Sequence, residues 1–174
     1  MPSLSFRPAT SADIAALVPL ITSAYRGESS RKGWTTEADL LDGSRIHPDV
    51  LRGDIERPRS RVLIALQDQQ MLACAHVCDE AGVGYFGMFA VRPNLQNTGV
   101  GRAVLAEAER VACEDWQLPL MRMTVIDLRE ELIAWYVRRG YRRTGIKKLF
   151  PATDERFGLP RRDDLQFEIL EKIL

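Results

Sequence analysis

The chain has 174 residues, 45% of them hydrophobic, and its 24 Lys and Arg balance its 24 Asp and Glu to a formal net charge of zero. That length is expected to give one domain, residues 1–174, with a sizeable core, and the balanced charge argues against nucleic acid or an anionic membrane as partner. No apolar run approaches the ~20 residues that span a bilayer, and the first residues lack the basic and apolar segments of a secretory leader, so a cytoplasmic location is expected.

Residues 4–8 read as a first strand. Thr10 or Ser11 then caps a helix to about Tyr25, with Ile14, Leu17, Val18 and Ile21 spaced to bury one face. Residues 26–33 are polar and turn-rich, and helical pieces are expected at 36–42 and 47–56, split by Gly43 and Ser44. Residues 61–66 and 71–78 read as strands around a short polar turn, and residues 83–91 as a third. A helix is expected over 99–116, with Val100, Val104, Ala108, Val111 and Ala112 turned inward. Strand 120–126, a helix over 130–139 stopped by Gly140, and strand 141–150 come next. A loop over 150–164 with two prolines leads to a last strand at 165–170. This order is an α/β layout around a mixed sheet with helices on its faces. Cys74, Cys78 and Cys113 are odd in number and lack zinc-type spacing with the two histidines, so reduced, mostly buried thiols and no metal are expected.

The most informative stretch is Phe89-Ala90-Val91-Arg92-Pro93-Asn94-Leu95-Gln96-Asn97-Thr98-Gly99-Val100-Gly101-Arg102. An apolar run breaks at a proline, crosses a polar loop and restarts as a helix with glycines in its first turn. The first amides of a helix have no intrahelical acceptor and carry the positive end of the macrodipole. Glycines remove the side chains that would keep a phosphate from those donors. A phosphate-bearing cofactor is the reading.

Here the chain resembles the GCN5-related N-acetyltransferase (GNAT) superfamily, whose cofactor loop Gln/Arg-x-x-Gly-x-Gly/Ala stands as Gln96-Asn97-Thr98-Gly99-Val100-Gly101. The resemblance implies a mixed, mostly antiparallel central sheet flanked by helices. It also implies acetyl-CoA as acyl donor, with no metal, its pyrophosphate on the amides from Gln96 through Asn97, Thr98, Gly99, Val100 and Gly101 to Arg102. Backbone donors of Phe89, Ala90 and Val91 would orient the pantetheine and acetyl groups.

A second segment, Glu131 to Tyr141, resembles the family's helix that ends in Tyr, three residues, Gly and an aromatic, here Tyr136, Gly140 and Tyr141. The resemblance implies that Tyr136 protonates the departing thiolate, a proton transfer suited to a phenol with a pKa near ~10. Packing on a buried face beside Leu132, Ile133 and Val137 is compatible with that role. Arg129 and Leu132 depart from the family's Asn and Ala. Arg129 is expected to reach a CoA phosphate or an acidic acceptor, or else to be a solvated residue at the helix start.

The implied reaction is direct attack of an amine on the acetyl carbonyl, with an N–H stabilising the developing charge. Residues 85–91 hold no Asp or Glu, so no strand carboxylate is available as base; Glu28, Glu37, His47 and His76 are outside candidates, and water is another. His76, in an apolar run, reads more simply as a satisfied core histidine. The acceptor, a small-molecule amine, amino acid or peptide N-terminus, is expected against Tyr25, Trp34 and Glu37, near Thr35 and Asp42, and against the loop 150–162. The pairs Arg138-Arg139, Arg142-Arg143 and Lys147-Lys148 read as solvated faces, with a phosphate contact open to any of them. Members of the family are often homodimers; no segment here shows an interface. The alternative is a non-catalytic acyl-CoA-binding or sensing domain of the same fold.

Gly82-Val83-Gly84-Tyr85-Phe86-Gly87 fits the dinucleotide fingerprint G-x-G-x-x-G, which must come after a strand and open a helix. Gly87 leads instead into the apolar run that ends at Pro93, so a hairpin turn and a close backbone approach are expected.

Overall fold

The computed structural model describes residues 3–25, 37–42, 45–150 and 159–174. The elements run β1 (Ser5–Pro8), a 3-10 turn (Ser11–Asp13), α1 (Ile14–Tyr25), β2 (Leu41–Asp42) and α2 (Pro48–Glu56). Then come β3 (Ser60–Gln67), β4 (Gln70–Glu80), β5 (Val83–Val91), a 3-10 turn (Pro93–Leu95) and α3 (Val100–Arg110) with a π turn (Val111–Asp115). The chain finishes with β6 (Leu120–Ile126), α4 (Glu130–Val137), β7 (Arg142–Leu149), β8 (Leu159–Pro160) and β9 (Gln166–Ile173). Thr10 sets the entry to α1, its amide donating to the Asp13 carboxylate at 2.8 Å while Arg7 grips the same carboxylate at 2.8 Å.

Seven strands form one sheet in the order β1-β3-β4-β5-β6-β9-β7. Every pairing is antiparallel except β5 with β6, which α3 connects. Alternate residues serve opposite faces. Val62, Ile64 and Cys74 meet α1 and α2 in one buried cluster. Leu63, Ala65, Ala73, Ala75 and Val77 meet Val104, Leu105 and Ala108 of α3 and Leu132, Ile133 and Tyr136 of α4 in the other.

Two irregularities shape the middle of the sheet. On β5, Cys74 pairs with Ala90 and His76 with Gly87, so three steps of one strand oppose two of the other. The extra residue is a β-bulge centred on Met88, whose φ is +48°. Then β5 and β6 pair only at Gly84 with Met121 and Tyr85 with Arg122, and beyond Tyr85 they part. Gly84 permits their junction, since a Cβ there would lie 3.1 Å from the Leu120 carbonyl oxygen and 3.3 Å from Ala112.

The structure corrects several sequence expectations. Residues 37–40 form a turn rather than a helix, and Leu41 pairs with Pro160 inside the segment expected to be pure loop. Burial of Leu41 with Ile126, Phe150 and Leu165 overrides the local helical spacing. The helix expected over 99–116 begins one residue later, buries Leu105 beside Val104 and Ala108, and leaves Val100 half-buried. The last strand runs on to Ile173 because Met121 and Leu120 continue to pair with Lys172 and Ile173. The fingerprint glycines behave as expected: Ala81 and Gly82 make the turn at φ +53° and +88°, and Gly84 and Gly87 lie within β5. Cys74 and Cys78 are buried thiols and Cys113 is exposed.

Candidate active site

The gap between β5 and β6 opens into two adjoining cavities. The first, of about 410 Å³, lies between Phe86, Gly87, Met88 and Phe89 on β5 and Met123, Thr124, Val125 and Ile126 on β6. The second, of about 390 Å³, is bounded by Phe89 and Val91, the loop at Gln96 and Asn97, the start of α3, and Trp135, Arg138 and Arg139. Tyr25, Phe89, Arg129, Leu132 and Tyr136 line both, and so form the wall or passage between them.

The second cavity is built for an anion. The first intrahelical bond of α3 runs from the Ala103 amide to the Gly99 carbonyl at 3.1 Å. The amides of Val100, Gly101 and Arg102 are therefore left without an intrahelical acceptor. Asn97 and Gly99 reach this helix start through φ values of +67° and +93°. Gly101 gives the approach its depth: a Cβ there would sit 3.1 Å from Phe89 Cζ and 3.5 Å from Val91 Cγ2. Arg102, Arg138 and Arg139 line the same space, and among the described residues none has a carboxylate at ion-pair distance. Arg139 stacks its guanidinium 3.5 Å above the Trp135 ring centroid and donates to the Trp135 carbonyl at 2.7 Å. Burial and the charges of Arg138 and Arg102 lower its pKa, the signature of crowded cations awaiting a negative partner. These features fit a pyrophosphate and a flexible pantetheine arm.

Tyr136 is 4% exposed at the end of α4, packed against Phe86, Trp135 and Tyr141. Burial, with Tyr25 and Tyr85 nearby, pushes its phenol well above the ordinary range, against the opposing charges of Arg129 and Arg139. The phenol is therefore protonated at neutral pH and faces the junction of the cavities.

The first cavity carries two groups of charges. Arg129 pairs with Glu37 at 3.0 Å, and its Cζ lies 5.8 Å from the Tyr25 ring centroid. Arg45 stands at 4.7 Å from the same ring centroid. The second group is Asp54, Arg57 and Glu80, near His76. His76 is 6% exposed, with Nε2 2.8 Å from Ser60 Oγ and Nδ1 3.7 Å from the Asp54 carboxylate. Ser60 donates to the Asp54 carbonyl, so it accepts from Nε2, which fixes the tautomer. Burial lowers the His76 pKa to about 4, and both ring nitrogens face protein groups. With Nε2 held by Ser60 and the ring buried, His76 packs as a core histidine, its Nδ1 beside the Asp54 carboxylate but beyond hydrogen-bond distance of it. Tyr85 lies flat along β5, possible only because Gly87 lacks a Cβ, which would meet its Cε1 at 2.9 Å.

Of the residues singled out from sequence, Phe89, Val91, Gln96, Asn97, Gly99, Gly101, Arg102 and Arg129 line the second cavity. Ala90, Thr98 and Val100 do not: Ala90 is buried toward α1, the Thr98 hydroxyl donates to the Leu95 carbonyl, and Val100 packs on the core. Tyr25 and Glu37 line the first cavity. Trp34, Thr35 and Glu28 lie outside the described residues. His47 caps α2, its Nδ1 accepting from the Asp49 amide at 3.3 Å, away from both cavities. Arg138-Arg139 departs from the solvated-face reading by lining the second cavity. Arg142, Arg143 and Lys147 are exposed but matched, to Glu171, Glu168 and Asp127. Sequence reasoning missed Arg45, whose isolated position between Ser44 and Ile46 gave no signal, and Trp135, which sits one residue before the tyrosine of the motif. Among the described residues no group of His, Cys, Asp and Glu is arranged to hold a metal ion, and no helix is long and apolar enough to cross a membrane.

Residues 58–143 match the family described as acetyltransferase (GNAT) domain. These residues form a domain of the GCN5-related N-acetyltransferase superfamily. No curated protein sequence matches it. Among solved structures, the ribosomal-protein-S18-alanine N-acetyltransferase of Escherichia coli superposes with a TM-score of 0.70 at 16% identity, over 98% of this chain and 94% of that one. The ribosomal-protein-alanine N-acetyltransferase of Brucella melitensis gives 0.69 at 20% identity, over 98% and 99%. The PaiA N-acetyltransferase of Thermoplasma acidophilum, solved in complex with coenzyme A, gives 0.67 at 14% identity, over 99% of both chains.

Proposed function

We propose that this chain, residues 1–174 acting as one catalytic domain, is a cytoplasmic N-acetyltransferase that moves the acetyl group of acetyl-CoA to a primary amine. One observation carries the reading: the anion-ready start of α3 lines the second cavity, and the buried phenol of Tyr136 stands where that cavity meets the first. The donor's phosphates would rest on the amides of Val100, Gly101 and Arg102 and on the three arginines, its acyl end toward Phe89.

In the reaction the neutral amine forms a C–N bond to the acetyl carbon, and the C–S bond to CoA breaks. The bulge residues Met88 and Phe89, which lie outside the register with β4, offer amides suited to stabilise the oxyanion. Tyr136 gives its proton to the leaving thiolate and is reprotonated by the proton the amine loses. Residues 85–91 hold no carboxylate and Nε2 of His76 is committed to Ser60; water carries the amine's proton, with Glu37, the carboxylate of the cavity wall nearest Tyr25, as its alternative.

Calorimetric titration with acetyl-CoA, then an acceptor screen reading free thiol, tests the proposal. Binding with turnover supports it. Binding without turnover of any acceptor would leave an acyl-CoA sensor, and no binding would remove the donor assignment.

A further inference from the structure

The first cavity carries a guanidinium with no carboxylate of its own to hold. Arg129 and Glu37 form an ion pair at 3.0 Å. Arg45, on the same wall, has no carboxylate at ion-pair distance among the described residues; its near neighbour is the Tyr25 ring, 4.7 Å from Cζ to centroid. Among the described residues, two guanidiniums stand against one carboxylate beside Tyr25. Asp54, Glu80 and Arg57 leave one negative charge elsewhere in the same cavity. Tyr25, by a hydrogen bond, and the Glu37 charge hold the Arg45 guanidinium protonated despite its burial, and its planar fork suits a carboxylate.

Its position sets the ligand's dimensions. Tyr25 also lines the second cavity, together with Phe89 and Tyr136, where the acetyl carbon must sit. Arg45 and the junction with the second cavity thus share the Tyr25 side chain as a common wall. A carboxylate held there belongs to a molecule whose reacting amine is separated from it by a short spacer. We propose that the acceptor is an α-amino acid or a close analogue, its carboxylate bound by Arg45 and its side chain directed toward Asp54 and Glu80. A protein N-terminus, which carries an amide in place of that carboxylate, and a polyamine, which carries none, do not complete the site.

This inference rests on the acetyltransferase reading and deepens it. The test compares the common amino acids with their primary carboxamides as acceptors of acetyl-CoA, by thiol release. The amide's amine is the less basic and the more readily deprotonated, so intrinsic reactivity at neutral pH favours the amide. Expected is a kcat/KM for the best acid about 30-fold above its amide, the scale of a charged hydrogen-bond pair. In Arg45→Met the ratio should fall to near one, and in Arg45→Lys it should be intermediate. A ratio taken within one variant is unaffected by the fraction of protein that folds. A wild-type ratio near or below one, a ratio unchanged in Arg45→Met, or acetylation confined to polyamines or peptides overturns the proposal while leaving the donor assignment intact. So does acetyl-CoA binding with no acid turned over. Failure of acetyl-CoA to bind at all removes the donor assignment and this inference with it.

Discussion

Arg129 and Glu37 form a buried ion pair at 3.0 Å, their side chains 8% and 9% exposed, that ties the start of α4 to the turn before β2. Removing one partner strands a charge in a low-dielectric wall. Glu37→Ala is expected to cost about 3–5 kcal/mol, while the double change Glu37→Met with Arg129→Met costs markedly less. Urea unfolding of the wild type and the two variants checks this; equal losses for the single and double changes would show that the pair's charge is irrelevant to stability.

Tyr136→Phe removes the phenol's proton and keeps the packing against Phe86 and Trp135. Turnover should fall about 100-fold, within the usual range for a lost acid catalyst. The dissociation constant for acetyl-CoA, measured calorimetrically, should stay within about threefold, since no phosphate donor is touched. Unchanged turnover with a good acceptor would remove the acid role.

Gly101→Val drives a side chain into Phe89, 3.1 Å from an added Cβ, and fills the approach to the helix start. Gly99→Glu adds strain at φ +93° and a charge that repels phosphate. Both should weaken CoA binding by at least about tenfold. If the thermal midpoint falls but the affinity holds, the α3 amides are not the phosphate site.

Arg139→Gln removes one of three crowded cations. CoA affinity should fall by about tenfold, and the loss should shrink at high salt, where screening already weakens the remaining contacts. Affinity that neither drops nor changes its salt dependence would place the phosphates elsewhere.

His76 is held neutral, its pKa lowered from 6.5 to about 4 by burial. Between those pH values the unfolded chain binds the proton and the folded one does not, so stability rises with pH across the window and is lost on acidification. The loss attributable to His76 is about 2–3 kcal/mol at pH 4. His76→Gln should flatten that slope. Asp54, whose carboxyl burial pushes up, acts in the opposite sense, so Asp54→Asn should steepen it. A slope unchanged in His76→Gln would show that the imidazole titrates normally.

The cofactor half of the site was legible because its chemistry is local. Proline, glycine spacing and the restart of apolar periodicity from Gly99 to Arg110 all arise from backbone rules within one short stretch. The apolar runs read as strands at 61–66 and 71–78, around a short polar turn, were equally direct. The acceptor half was obscure because it is assembled from afar: Arg45 meets Tyr25, Arg129 meets Glu37, and Asp54 meets His76 only after the chain has folded. Leu41 was read as helical for the same reason, since its partner Pro160 lies far along the chain.

The bulge at Met88 limits how this strand can vary. Phe86, Phe89 and Val91 belong to the α3 and α4 side, while Met88 and Ala90 belong to the α1 and α2 side. Parity along β5 therefore reverses midway, as a reading frame does after a one-base insertion. Deleting Met88 would restore strict alternation and leave Phe89 and Ala90 on their present sides, but it would abolish the bulge and straighten the stretch of β5 that borders both cavities. Natural or designed variation on β5 is thus free to change side chains but not their count.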